Sequence, residues 1–426
     1  MIAAASMAVA LVPFAYAAEG DSVPDQAGNT SVWLIRELQA QALKTAPAIQ
    51  NARLLPESAE GRLMTSRMYP NPTVEVVSGQ SRLRAGTPLT GNVTEITVQQ
   101  PLEWPAAREA RIQGATAGLN IAERNRLQII NDVLADVRLR ALEWLVRQEE
   151  IRFLQDALDL IEQTRNRIAV KVETGEAARY ELIKAEAEVL SARARLDAVR
   201  AQAAFTRARL SQILGVRLGE AFRIEAPQRT IPESVNVDAL VAKVVKDNPE
   251  LKVREAELEQ QEQRLKEQRV LRRPGVALQA RTDQEPELRT RQVGVAVTVP
   301  IFDTRAGVVR EAAAEAQLSA TRLEGRRYEL TQQTYATHAT LVAAKRRVDA
   351  LEGGVLKQAE AALAVAQAAY KFGERGILDT LDAQRVLRTV RSDLTAARLE
   401  AFSAAAELDL LAGVYIELLD PYRAVP

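Results

Sequence analysis

Few residues in this chain are of types that do chemistry. Cysteine is absent and histidine occurs once, as His338. That excludes disulfides, thiolate nucleophiles and thiolate metal sites, and any multi-histidine metal site within one chain. His338 stands among Thr337, Ala339 and Thr340. No Asp or Glu lies three or four residues to either side, so it reads as a helix-surface or packing histidine. Gly353-Gly354 lacks the Gly-Lys-Ser/Thr continuation of a phosphate loop and instead suggests a bend or a close approach in a helix. The four methionines form no soft-metal ladder. No catalytic constellation remains, and the sequence predicts neither an enzyme nor a bound cofactor. What is left is charge beside two short turns. Thr174-Gly175-Glu176 and Gly373-Glu374 form the small, polar tips of segments 172–179 and 371–377. Beyond the second tip, Asp379 and Asp382 lie three residues apart, on one face of a starting helix, where the helix dipole tolerates negative charge. The matching positions after the first tip hold Glu181 and Lys184.

Composition says what kind of elements must hold these turns. The 426 residues carry 56 basic and 56 acidic side chains, so no net field draws nucleic acid. Aromatics make up only 4%, low for several packed globular cores. The remainder is rich in Ala, Leu, Glu, Arg and Gln, the material of long helices. Residues 2–12 are almost wholly apolar, and Pro13 and Ala15-Tyr16-Ala17 follow. This predicts a secretory signal over 1–18, although the first basic residue is Arg36. The stretch falls short of the roughly 20 residues a membrane-spanning helix needs. Without cysteine, the exported chain carries no lipid on a cysteine.

The chain is written twice. Thr45-Ala46-Pro47-Ala48 matches Asp247-Asn248-Pro249-Glu250, and Tyr69-Pro70-Asn71-Pro72 matches Leu271-Arg272-Arg273-Pro274. Val98 to Leu102 matches Val297 to Ile301, Gly175-Glu176 matches Gly373-Glu374, and Leu214-Gly215-Val216 matches Ala412-Gly413-Val414. Ordered landmarks at a near-constant offset predict two structural repeats, 19–230 and 231–414, followed by a tail over 415–426. Each repeat reads as helix, strand, strand, very long helix, long helix.

Period-two patterning predicts strands at about 73–81, 92–100, 276–282 and 292–299. In the last, Val293, Val295, Val297 and Val299 take one face while Gly294, Ala296 and Thr298 take the other. One apolar face against one small or polar face suits an ordinary half-buried hairpin or a membrane barrel wall. No aromatic girdle is present; Tyr69 and Trp104 lie just outside the strands. Long helices are predicted at about 105–172, 177–214, 303–371 and 376–412. Heptad seams run through Leu182, Ala185, Val189, Ala192, Leu196, Val199, Ala203, Thr206, Leu210 and Ile213, and again from Thr380 to Leu411. Two hairpins cannot close a barrel, and lipid does not tolerate open sheet edges, so strands in a membrane require several chains to share one barrel. A helix of about 100 Å would project far beyond a hydrocarbon core of roughly 30 Å.

These features resemble the TolC family of outer-membrane factors, exit ducts of bacterial tripartite efflux and secretion machines. The most specific segment is Tyr370 to Gln384, an aromatic, then Gly-x-Arg, then Asp-x-x-Asp-Ala opening a helix. Pro300-Ile301-Phe302-Asp303-Thr304-Arg305-Ala306-Gly307 and Leu381 to Arg385 are similar to segments of outer-membrane subunits of cobalt-zinc-cadmium efflux systems. The resemblance implies a mainly α fold with a small β part. Long helical hairpins would form an α-barrel in the periplasm, and four strands per chain would join a shared transmembrane β-barrel in the outer membrane. It implies a homotrimer in outer-membrane lipid, a periplasmic adaptor of the membrane-fusion type and a proton-driven inner-membrane pump. It places Asp379 and Asp382 at the periplasmic constriction, and makes Tyr370 and Arg375 part of the network holding it shut. In three copies those aspartates would form a carboxylate ring, which favours cations. Thr174, Gly175, Glu176, Gly373 and Glu374 would meet the adaptor. The expected function is passive exit of divalent heavy-metal cations. A drug-efflux or type I secretion duct and a structural periplasmic coiled-coil protein stay open.

Overall fold

The computed structural model describes residues 32–82, 90–225, 236–285 and 287–417. The expected signal segment and most of the tail lie outside the described residues. The first repeat runs β1 (Val32–Trp33), α1 (Ile35–Thr45), α2 (Pro47–Arg67), β2 (Thr73–Arg82), β3 (Thr90–Leu102), α3 (Pro105–Glu173) and α4 (Arg179–Leu214). After β4 (Arg223–Ile224), the second repeat runs α5 (Val237–Asp247), α6 (Pro249–Val270), β5 (Gly275–Gln284) and β6 (Arg289–Thr298). It continues with α7 (Ala306–Ala350), a π-helical stretch (Leu351–Val355), α8 (Leu356–Lys371), α9 (Ile377–Leu411) and α10 (Val414–Glu417).

Proline sets the joints. The leading helix of each repeat is split in two, at Ala46-Pro47 and at Asn248-Pro249, because the residue before proline is pushed out of the helical region. Proline then opens the next helix, where its missing N–H is not needed. Pro105 does the same for α3, whose 69 residues span roughly 100 Å at 1.5 Å per residue.

Glycine closes the long helices. Gly215 and Gly413 follow α4 and α9 with φ of 69° and 67°, the left-handed conformation that glycine adopts without a Cβ penalty. Each is seated on the proline joint of its own repeat. Thr45 Oγ1 donates to the Leu214 carbonyl (2.6 Å), and Asn248 Nδ2 donates to the Leu411 carbonyl (2.9 Å). The first and last landmarks of each sequence repeat therefore touch in space.

The seam of α4 is buried from Ala185 to Leu210, with Leu182 and Ile213 half-buried at its ends. The α9 seam is buried except at Ala383. Alanines at Ala185, Ala397 and Ala401 have no exposed surface, which lets α4 pack closely on α3 and α9 on α7. The repeats are joined along α3 and α9: Asn131 Nδ2 donates to the Leu410 carbonyl (3.0 Å), and Arg138 pairs with Asp409 (2.8 Å). The largest core gathers Leu38, Ile49, Leu134, Trp144, Leu210, Leu214, Phe222 and Tyr415. Next to it, β1 and β4 make a two-residue parallel pair that periodicity gave no sign of.

The long helix of the second repeat is interrupted where Gly353 and Gly354 stand. The turn there is π-helical, and a Cβ on either glycine would meet nothing within 4 Å. The glycines mark a local change of helix type, not a close approach within the chain. Arg398 of α9 reaches Glu352 in this turn (2.7 Å) and Glu149 of α3 (3.5 Å).

Asp132 stands at an exposed position of α3, its carboxyl only partly shielded from water and close enough to Glu250 of α6 to feel its charge. Loss of hydration, then the nearby negative Glu250, pushes its carboxyl from the usual 3.8 up to about 6. A raised carboxylate pKa disfavours the folded state once ionised. The penalty is absent below about pH 4, grows between pH 4 and 6, and is complete above pH 6. Because the residue is exposed, the effect is small: Asp132→Asn is expected to raise the melting temperature slightly at pH 7 and leave it unchanged near pH 3.5. Equal shifts at both values would contradict this assignment.

Strands β2, β3, β5 and β6 form one antiparallel sheet in that order. Direct partners fix its two faces. One carries Val74 opposite Val98, Val98 opposite Ala280 and Ala280 opposite Val293, with Val76, Ile96, Leu278, Val295 and Val297 beside them. These valines and Ile96 are exposed, Val293 at 86%. The other face carries Glu75, Thr97, Glu95, Gln279, Arg281, Asp283 and Gln292. Outer strands β2 and β6 have no further partner among the described residues.

Candidate functional site at the helix turns

The two helix-to-helix turns have one geometry. In the first, Gly175 has φ 77° and the Lys171 carbonyl accepts from the N–H groups of Glu176 (2.7 Å) and Ala177 (3.1 Å). In the second, Gly373 has φ 76° and the Ala369 carbonyl accepts from Glu374 (2.9 Å) and Arg375 (3.4 Å). This six-to-one bond around a left-handed glycine satisfies carbonyls that the ending helix leaves open. Thr174 Oγ1 adds bonds to the Val170 and Lys171 carbonyls. Glu176 and Glu374 remain exposed at the tips.

Packing brings the two turns together. Ile168 and Ala185 of the first hairpin form one apolar cluster with Ile377 and Leu381 of the second, and Val172, Leu182, Tyr370 and Leu378 pack around it. The Lys171 ammonium sits 4.6 Å from the centre of the Tyr370 ring. Tyr370 therefore ties the second hairpin to the first through an apolar edge and, with both side chains half-buried, a cation–π contact of about 1 kcal/mol.

The acidic helix start is arranged differently from a row of free carboxylates. Asp379 pairs with Arg375 (3.5 Å), one turn back on the same chain segment. Asp382 pairs with Arg385, three residues on. Arg375 bonds within its own segment, not to a neighbouring helix of this chain. All four side chains are about half-exposed or more, so each pair adds at most about 1 kcal/mol of stability. Their consequence is electrostatic: each carboxylate carries a guanidinium beside it.

Behind this surface lies a stronger junction. Arg388 of α9 bonds Glu188 of α4 at 2.7 Å, with the two side chains 12% and 24% exposed. Gln384, 4% exposed, borders a cavity of about 180 Å³ with Phe153, Leu160, Leu363 and Leu387, and neither of its amide atoms has a hydrogen-bond partner among the described residues. Sequence reasoning missed Lys171, Arg385 and the Arg388–Glu188 bridge. The i,i+3 spacing of Asp382 and Arg385 was a readable signal. Lys171 and Arg388 have partners in the other hairpin, which no local pattern announces.

Among the described residues, no group of three or more His, Asp or Glu is placed to hold a metal ion. Nor is any described helix long and apolar enough to cross a membrane.

The family model for outer membrane efflux proteins matches residues 38–216 and 240–414. The chain is 25% identical over 364 residues to the cobalt-zinc-cadmium resistance protein CzcC of Cupriavidus metallidurans, covering 84% of each. Among solved structures, CusC aligns with a TM-score of 0.76 at 15% identity, over 91% of this chain and 95% of that one. VceC of Vibrio cholerae aligns at 0.75 and 19% identity, over 89% and 96%. The outer-membrane channel OprN aligns at 0.78 and 16% identity, over 89% of each.

Proposed function

The chain belongs to the outer membrane efflux protein family, as an outer-membrane channel and not an enzyme, and we propose that it is the exit duct for divalent heavy-metal cations. The observation that carries the cargo is the similarity to a cobalt-zinc-cadmium resistance protein over 84% of both chains. The resemblance of Pro300 to Gly307 supports it. Within that segment Asp303 accepts a bond from the Arg305 N–H (2.8 Å) where the chain turns from β6 into α7.

The working form is a homotrimer. Outer strands β2 and β6 then pair between copies, which removes open edges from lipid. The channel is passive, driven by an inner-membrane proton-dependent pump and reached through a periplasmic adaptor. The turns at Thr174-Gly175-Glu176 and Gly373-Glu374 dock the adaptor. Tyr370 and Arg375 steady the closed constriction, and Asp379 and Asp382 with their arginine partners set its charge.

A strain lacking this gene tests the cargo. It should lose growth on graded zinc, cobalt or cadmium, regain it with the intact gene, and tolerate organic drugs as before. Drug sensitivity without metal sensitivity would overturn the cargo and leave the duct.

A further inference from the structure

The polar face of the sheet holds a charged network that the channel reading alone does not use. Register places Glu75 opposite Thr97, and Thr97 opposite Arg281. In the next row on that face Glu95 stands directly opposite Asp283. Two carboxylates in direct opposition repel across a strand pair. Arg281 resolves this by bonding both, Glu95 through Nη1 at 2.9 Å and Asp283 through Nε at 2.9 Å. Thr97 Oγ1 donates to Glu95 Oε1 at 3.3 Å. Strands β3 and β5 are thus bonded into one fixed arrangement, and register sets Glu75 of β2 beside it. Three carboxylates against one guanidinium leave two net negative charges per chain.

The opposite face is apolar on one side of this network and turns polar on the other. Val74, Val98, Ala280 and Val293 form one flanking row, whereas Val76 and Ile96 share the other with Thr282 and Arg291, where the apolar band ends and a long arginine stem can carry its charge to the interface. A membrane sheet tolerates charge at the depth of its apolar band only on the side that faces water. The faces are therefore assigned: the valine face to lipid, the face of Glu75, Glu95, Arg281 and Asp283 to the lumen.

We propose that Glu75, Glu95, Arg281 and Asp283 form a second ring, inside the membrane section of the duct, that favours small inorganic cations over anions. This rests on the reading of the chain as a channel. It is separate from the charges at the helix turns, because it lies on the sheet and is built by cross-strand register. Its charge follows from Arg281 bridging two carboxylates while leaving Glu75 outside the bridge, so the ring is partly neutralised and fixed in place.

The test is the reversal potential of the full-length protein in a planar bilayer under a potassium chloride gradient. Glu75→Gln lowers the preference for potassium over chloride, and Arg281→Gln raises it. Arg281→Gln with Glu95→Gln keeps the net charge and holds the wild-type value, even if the single arginine variant assembles poorly. Face assignment is read separately. The chain has no native cysteine, so Glu75→Cys and Val74→Cys each offer one thiol. A cationic thiol reagent added to the aqueous phase reduces conductance through Glu75→Cys and not through Val74→Cys. Conductance retained with an unchanged reversal potential in Glu75→Gln would overturn the ring and leave the channel standing. A wild-type protein that does not conduct would overturn both.

Discussion

Gly215→Ala will unfold at a markedly lower temperature than the wild type. Gly215 has φ 69°, and a left-handed L-residue costs roughly 1–2 kcal/mol on backbone sterics alone. The space is also taken. A Cβ there would stand 2.5 Å from the Thr45 carbonyl oxygen and 2.9 Å from Pro47 Cδ. Backbone and a proline ring cannot swing aside, so the α1–α2 joint must move and the Thr45–Leu214 hydrogen bond (2.6 Å) must stretch. The joint packs against the largest core, so the shift spreads into Leu38, Ile49 and Leu214. Gly413→Ala has the same backbone cost but a softer contact, 3.1 Å to the Asp247 carbonyl oxygen, and Gly373→Ala meets nothing within 4 Å. The expected order of destabilisation is Gly215, then Gly413, then Gly373. Thermal unfolding followed by circular dichroism in detergent reads this order. A Gly215→Ala protein as stable as Gly373→Ala would refute it.

Replacing both Asp379 and Asp382 with alanine will make the proposed constriction anion-preferring. The reason is the pairing: Arg375 stands beside Asp379 and Arg385 beside Asp382. Removing two carboxylates leaves two guanidinium groups per chain without their partners, and in the proposed trimer that is six positive charges around the proposed constriction. Rings of arginine select anions, as rings of aspartate select cations. The reversal potential under a salt gradient should change sign relative to a variant lacking Arg375 and Arg385, whose cation preference rises. Both effects should shrink as salt rises, because the groups are exposed and screened. An identical reversal potential in the two variants would remove these residues from the conduction path.

Much of this architecture was legible because it is written in local sterics. Alternation at Val293, Val295 and Val297 forces one face of a strand, whatever lies across from it. Spacing of three and four along Ala185, Val189, Ala192 and Leu196 forces one stripe on a helix. Pro47, Pro105 and Pro249 open helices because they lack an N–H, and Gly175 and Gly373 end helices because they lack a Cβ. The duplication multiplied each signal by two. The π-helical turn escaped this logic: Gly353-Gly354 permits several backbone states, and packing of α9 with Arg398 on Glu352 accompanies the one adopted.

The candidate site was legible only in its local half. Tyr370, Arg375, Asp379 and Asp382 could be named from their own segment, as could the glycine tips. That Lys171 stands on Tyr370, that Arg388 joins Glu188, and that Glu95 faces Asp283 under Arg281 depend on contacts far apart in the chain. By itself the sequence determined two repeats of strands and long helices, their caps, their buried stripes and the two faces of each strand. Such features rest on the sterics of neighbouring residues and on periodicity. Tertiary structure alone decided which hairpin meets which, how the strands register and which charges are neutralised. Those outcomes depend on which distant groups meet once the apolar stripes are buried, and no short stretch of chain contains both partners.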